Sequence, residues 1–227
     1  SLMMIDVRVP DYSTFCRRAS GLKIDLGYLK SSKSIDVVVD ASGLKVYGEG
    51  EWKVRTHGKG KRRTWRKLHI SVDAATQEIV AVSLTKSNVH DSLEMKNLLP
   101  EEIDIQDVGA DKAYDNFHAY DPIAAKNAKA TIPPRSGAEL TKNPSPGMKL
   151  RNNNIGEKWK WGTKMWKQGR RYHKRSLVET AFCRYKKTFG ERMQTKTLAN
   201  QRAEVRLKAK ILNELTHLGM PKTVKIL

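Results

Sequence analysis

Cysteine is almost absent from this sequence: 2 residues among 227, Cys16 and Cys183, lying far apart. That excludes a disulfide framework and is too few for a cysteine-built zinc site, so a reducing, cytoplasmic compartment fits best. Long apolar runs are missing as well. The longest fall far short of the roughly 18 residues a membrane span needs. No charged segment followed by an apolar one opens the sequence, so no secretory signal is expected. Internal repeats and low-complexity tracts are absent. No G-x4-G-K-[S/T] phosphate loop occurs, and Gly58–Gly60 neither follows a strand nor opens a helix, which leaves ATP use unsupported. The six histidines (57, 69, 90, 118, 173 and 217) show no metal-ligand spacing, and no Ser-His-Asp arrangement can be argued.

Negative charge is scarce too. Asp and Glu total 24 against 43 Lys and Arg, a formal net charge of +19, and the pI is near 10.0. Such an excess points to a polyanionic partner, most commonly nucleic acid. The basic residues are spread along the chain rather than clustered beside an apolar segment, which argues against a lipid-surface role. An apolar content of 39% argues against a disordered basic tail. The length suits one large domain, or one domain with a small appendage.

Residues 1–30 read as the end of a helical region and a linker, with Ser13 capping a helix to about Ala19 and Gly21 just past its end. The Val run in "IDVVVDASGLKVY" (35–47) reads as a strand buried on both faces. Residues 65–86 alternate as a hairpin turning at 74–77. Between these strands lies an intensely basic, Gly-punctuated segment (49–67) flanked by Trp52 and Trp65. A helix over 92–99, a strand in 104–114, a helix over 115–128 around Pro122, and a last strand in 129–135 follow. A loop at 136–150 leads to helices from about Asn152 with a break near Gly169. The final helix, about 197–218, carries Leu207, Ile211, Leu215 and Leu218 on one stripe. This order predicts an α/β fold, a mixed sheet of a β-hairpin plus parallel strands flanked by helices.

Three acidic residues stand out. Asp40 closes the Val-rich strand and Asp111 closes "QDVGAD", positions where open α/β sheets place ligands. Each also reads as an ordinary turn or N-cap aspartate. In "YHKRSLVETAFCRYK", Tyr172, Arg175, Glu179 and Lys186 are spaced to share one helical face, beside an apolar stripe of Val178, Phe182, Tyr185 and Phe189. The plain alternative is a solvated face with Arg175–Glu179 as a surface helix pair. A second basic-aromatic stretch (158–175) precedes Glu179, and its tryptophans read as packing residues rather than base stacks.

The spacing Y-x2-R-x3-E-x6-K, met in full by Tyr172, Arg175, Glu179 and Lys186, resembles the C-terminal signature of the IS4/IS5-type DDE transposases of bacterial insertion sequences. "VVVDASGLKVYGEGEWKVRTHGKGKRRTWRKLHISVD" resembles the first-aspartate block of that family, and "VGADKAYD" the second. The likeness is closest to the IS5 type and covers about residues 9–219. Ala41–Ser42 stands where Ser–Thr is expected, and Ala110 where Gly is frequent; neither removes an acidic ligand. The N-terminal region is shorter than the resemblance leads one to expect.

The resemblance implies an RNase H-like catalytic core over 31–195, an N-terminal remnant and linker over 1–30, and a C-terminal helix packed on the core over 196–227. It implies that Asp40, Asp111 and Glu179 hold two Mg2+ ions, with Mn2+ as substitute, for cleavage at element ends and strand transfer into target DNA. Paired metals serve both ends of an in-line phosphoryl displacement. Tyr172, Arg175 and Lys186 would contact the DNA end. Lys53, Arg55, Lys61, Arg62, Arg63 and Arg66 would add phosphate contacts with steep salt dependence. A synaptic homodimer on terminal inverted repeats and a bacterial, nucleoid-associated location follow from the same likeness. The rival readings are a catalytically silent DNA-binding remnant and a nuclease without strand transfer.

Overall fold

Valine makes the centre of the sheet. Val37, Val38 and Val39 are all buried in strand β1 (Ile35–Val46), packed on both faces as a continuous apolar run requires. The structure, a computed structural model, describes residues 11–29, 33–46 and 65–219. The hairpin forms as its alternation predicts, β2 (Trp65–Asp73) against β3 (Ile79–Lys86). Strands β4 (Ile105–Gly109) and β5 (Lys129–Thr131) complete the path β3-β2-β1-β4-β5. The first three strands are antiparallel and the last two join in parallel. A two-residue strand β6 (Arg192–Met193) pairs in parallel with the end of β1, so residues 129–131 are not the last strand. Its pairing is made by register with Lys45 and Val46, which no local periodicity reveals.

Helices cover both faces. On one, the 3-10 turn Asp91–Glu94, α2 (Met95–Leu98) and α3 (Phe117–Ala125) bury Met95, Leu98, Tyr120 and Ile123 against Val37, Val39 and Val108. Beside them lies α4 (Pro146–Gly169). On the other, α5 (Ser176–Phe189) and α6 (Leu198–His217) pack Val178, Phe182, Tyr185, Val205 and Leu212 on Val38, Leu68, Ile70 and Val72. At the N-terminal end, α1 (Tyr12–Ala19) is capped by Asp11, which accepts from Ser13 N, rather than by Ser13 itself. This is the helix-flanked mixed sheet expected of an RNase H-like core.

Two helices depart from their sequence pattern. α4 begins at Pro146, earlier than Asn152, ends at Gly169, and is interrupted at Gly162 (φ 72°, ψ 163°). In α6 the stripe Leu207, Ile211, Leu215 and Leu218 faces solvent. The buried side carries Ala203, Val205, Ala209 and Leu212 together with Gln201 and Asn213. Asn213 bonds both backbone groups of Ile79 on edge strand β3 (2.7 and 2.9 Å), so a polar side chain is buried because it closes a sheet edge.

Candidate active site

Register brings the two aspartates together. In the parallel pair β1–β4, Val38 lies opposite Gly109, and that is where the pairing ends. Asp40 and Asp111 each follow two residues later, Asp40 within β1 and Asp111 in extended backbone just past the end of β4, near enough for the Asp111 charge to act on Asp40. Asp40 does not close its strand, as its position after the Val run suggests: β1 continues to Val46, paired on that side with β2. What stops at this point is β4. Asp111 N-caps the 3-10 turn Lys112–Tyr114, its carboxylate accepting from Ala113 N (2.7 Å).

The third carboxylate comes from α5. Glu179 sits in that helix's first turn. Arg175 links it to the sheet: one guanidinium nitrogen donates to Asp40 Oδ2 (3.1 Å) and another to Glu179 Oε1. Tyr172 and Arg175 are not on the α-helix with Glu179. They lie on a preceding 3-10 turn (Tyr172–Arg175), entered through Arg171 at φ 51°. Side chains three apart eclipse in a 3-10 turn, so the two still face the same way. Lys174 fastens this turn to β1 through Asp36 (2.7 Å).

The field here is that of crowded carboxylates. Burial pushes the Asp40 carboxyl above its ordinary value; Asp111 and Glu179 push the same way, and the Ala41 amide and Arg175 oppose them. Tyr172 is raised by burial and by the same three carboxylates, with Arg175 opposing, so its phenol keeps its proton. Its ring packs on Trp166 (6.2 Å between centroids) and under the Lys167 ammonium (5.5 Å). Hard oxygen donors that repel one another fit a hard divalent cation. Among the described residues, no group of three such side chains already stands as a ligand shell, and Arg175 occupies the place between Asp40 and Glu179.

The remaining sequence candidates are dispersed. Lys186 lies two turns beyond Glu179 and pairs with Glu191 (3.6 Å). Arg66 donates to Gln201 on α6 (2.9 Å), which ties the end of the basic segment to a helix. Lys53, Arg55, Lys61, Arg62 and Arg63 lie outside the described residues. Of the tryptophans ahead of Glu179, Trp166 is packed as expected, but Trp159 and Trp161 are 63% and 50% exposed. Several groups around the site carry no sequence signal of their own. Asp36 and Asp107 stand in register on the same face as the triad and line a cleft of about 360 Å3 roofed by Gly169–Arg175. Asp115, Arg135 and Arg151 brace the turn after Asp111. The "DKAYD" stretch hints at Asp115 alone; its two arginine partners are a product of the fold.

Residues 31–213 match the family model described as transposase DDE domain, and residues 1–49 match a second model of the same description. The chain belongs to the DDE transposase family. Its members are enzymes that act on DNA and are generally dependent on a divalent metal. The sheet with its flanking helices is accordingly an RNase H-like DDE fold. Among the described residues, no helix of this transposase is long and apolar enough to cross a membrane.

Proposed function

We propose that this chain is an IS5-type transposase that cleaves DNA at the ends of its element and joins those ends to target DNA, with Asp40, Asp111 and Glu179 as the catalytic triad. The observation that carries the reading is the convergence of these carboxylates from β1, the end of β4 and α5, with Arg175 between two of them. They would hold two Mg2+ ions, or Mn2+ in their place; such ions supply a nucleophile at neutral pH and offset charge on the phosphate. Arg175 is the part of the site that DNA would engage. Its guanidinium bridges Asp40 and Glu179 in the free protein, and a DNA phosphate offers it the same planar, charge-assisted pairing. The protonated Tyr172 hydroxyl donates to a phosphate oxygen. Lys186, farther along α5, meets the next stretch of backbone, and the basic segment up to Arg66 neutralises more of it. Two DNA ends must meet for joining, so the working form is a homodimer, acting in the bacterial cytoplasm on nucleoid DNA.

The test uses DNA carrying the inverted repeats that flank the reading frame. Asp40→Asn, Asp111→Asn and Glu179→Gln are each expected to abolish Mg2+-dependent cleavage and strand transfer while DNA binding persists. Undiminished cleavage by Asp40→Asn sinks the assignment. A wild-type chain that binds this DNA in a salt-sensitive manner, yet cuts nothing with Mg2+ or Mn2+, is the silent DNA-binding protein instead.

A further inference from the structure

Residues 159–165, W-K-W-G-T-K-M, are all exposed although they lie in the middle of α4. Two of them are tryptophans, and Met165 is 59% exposed. Large apolar groups held in water at adjacent positions mark an interaction surface. The helix breaks among them, at Gly162, and a Cβ placed there would meet nothing within 4 Å, so packing does not force the break. Its effect is to let the two halves of the helix run in different directions, with Trp159 and Trp161 at the end of the first.

Charge selects the partner. Glu157 is the one acidic residue in the sequence 157–171, and it is engaged by Arg170 (2.7 and 2.8 Å). Lys158, Lys160, Lys164 and Lys167 interleave with the aromatics, and Lys160 lies over the Trp161 ring (5.8 Å). Lysine is depleted at the core of protein–protein interfaces, and a second copy would bring another +19 to the contact. Alternating cations and exposed rings suit a nucleic-acid strand: ammonium groups for phosphates, ring faces for bases. The surface also joins the site. From Gly162 to Gly169 is about 10 Å of helix, and the second half ends in Trp166 and Lys167, both against Tyr172.

We propose that residues 158–167 form a second DNA contact surface, on which Trp159 and Trp161 stack on unpaired bases of the strand leaving Tyr172 while Lys160 and Lys164 neutralise its phosphates. The proposal rests on the reading above that DNA passes Tyr172. The test measures binding of the full chain to a blunt duplex and to the same duplex with a single-stranded tail. Trp159→Ala and Trp161→Ala are each expected to weaken binding to the tailed probe about 5- to 100-fold and to leave the blunt probe nearly unchanged. Trp161→Phe is expected to restore most of the tailed binding. Lys160→Gln is expected to weaken both probes and to reduce the salt slope by about 1. Equal affinities of wild type and both alanine variants for the tailed probe overturn the proposal and leave the transposase reading intact. So does a change of oligomeric state in the alanine variants with DNA affinity unaltered, which reassigns the surface to a second copy. A wild-type chain that binds neither probe overturns both readings.

Discussion

Asp111 and Glu179, two members of the proposed triad, are held in opposite ways. The turn that carries Asp111 is braced from behind. Arg135 donates from its guanidinium to the carbonyls of Lys112 (3.2 Å) and Ala113 (3.0 Å), and from its backbone N–H to Asp115 (2.9 Å). Arg151 grips the same Asp115 carboxylate through two nitrogens (2.8 and 3.3 Å) and reaches on to Glu139 O (3.0 Å). The Asp115 side chain is fully buried. Glu179, by contrast, is 56% exposed and is tied through Arg175, a partner that also serves Asp40. One wall of the proposed site is therefore braced by buried contacts, and the other is held only by partly exposed ion pairs. Preorganisation of this divided kind lets incoming charge replace an internal ion pair without disturbing the scaffold.

Removing the brace gives the largest expected effect. Arg151→Ala leaves a buried carboxylate without its main cation, a change that costs about 3–5 kcal/mol. For a chain of this length that lowers Tm by roughly 6–20 °C, measured by thermal unfolding without DNA or metal. A shift below a few degrees would mean that Asp115 finds other partners and that the wall is not locked. The Arg175 side is expected to answer differently. Arg175→Ala breaks two partly exposed ion pairs, worth about 1.5 kcal/mol or less in sum, so Tm moves by no more than roughly 6 °C. Cleavage of end DNA is nevertheless expected to fall by at least about tenfold, with much of the loss in binding, because charge-assisted contacts to phosphate contribute about 1.5–3 kcal/mol. A collapse of stability in Arg175→Ala would show that both walls are structural and would erase the distinction.

Much of this arrangement was legible in the sequence, and the illegible parts have physical causes. The Val run, the hairpin alternation and the apolar stripe of α5 report burial directly, and each side of the sheet formed where they place it. The spacing from Tyr172 to Glu179 picked out side chains that the fold keeps near one another while misjudging their backbone, since a 3-10 turn and an α-helix give nearly the same neighbours over one turn. α6 misleads for another reason: Gln201 and Asn213 are buried because their amides bond backbone groups, while leucines at a helical spacing remain outside. The brace behind Asp111 joins residues 111–115, 135 and 151, and only the fold makes them neighbours. The exposure of Trp159 and Trp161 is likewise a tertiary fact, because none of the described residues packs over the middle of α4.

The smallest expected effect has the opposite sign and sharpens the comparison. Asp107 lies on the same face as the triad and accepts the Thr131 hydroxyl at both oxygens (2.8 and 3.0 Å), but has no arginine grip like that on Asp115. Burial pushes its carboxyl above the ordinary value; Asp36 adds to the rise, while the Thr131 bond and Arg170 work against it. A raised carboxyl means the folded state binds the proton more tightly than the unfolded chain. Its burden on stability is therefore absent below the unfolded value of 3.8 and grows as pH rises through the folded one. Asp107→Asn removes that burden, so the variant is expected to be more stable than wild type at neutral pH, with the gain vanishing as urea unfolding is repeated down to pH values below the ordinary aspartate range. A variant less stable than wild type at neutral pH would place Asp107 with Asp115, as an aspartate whose charge the scaffold uses.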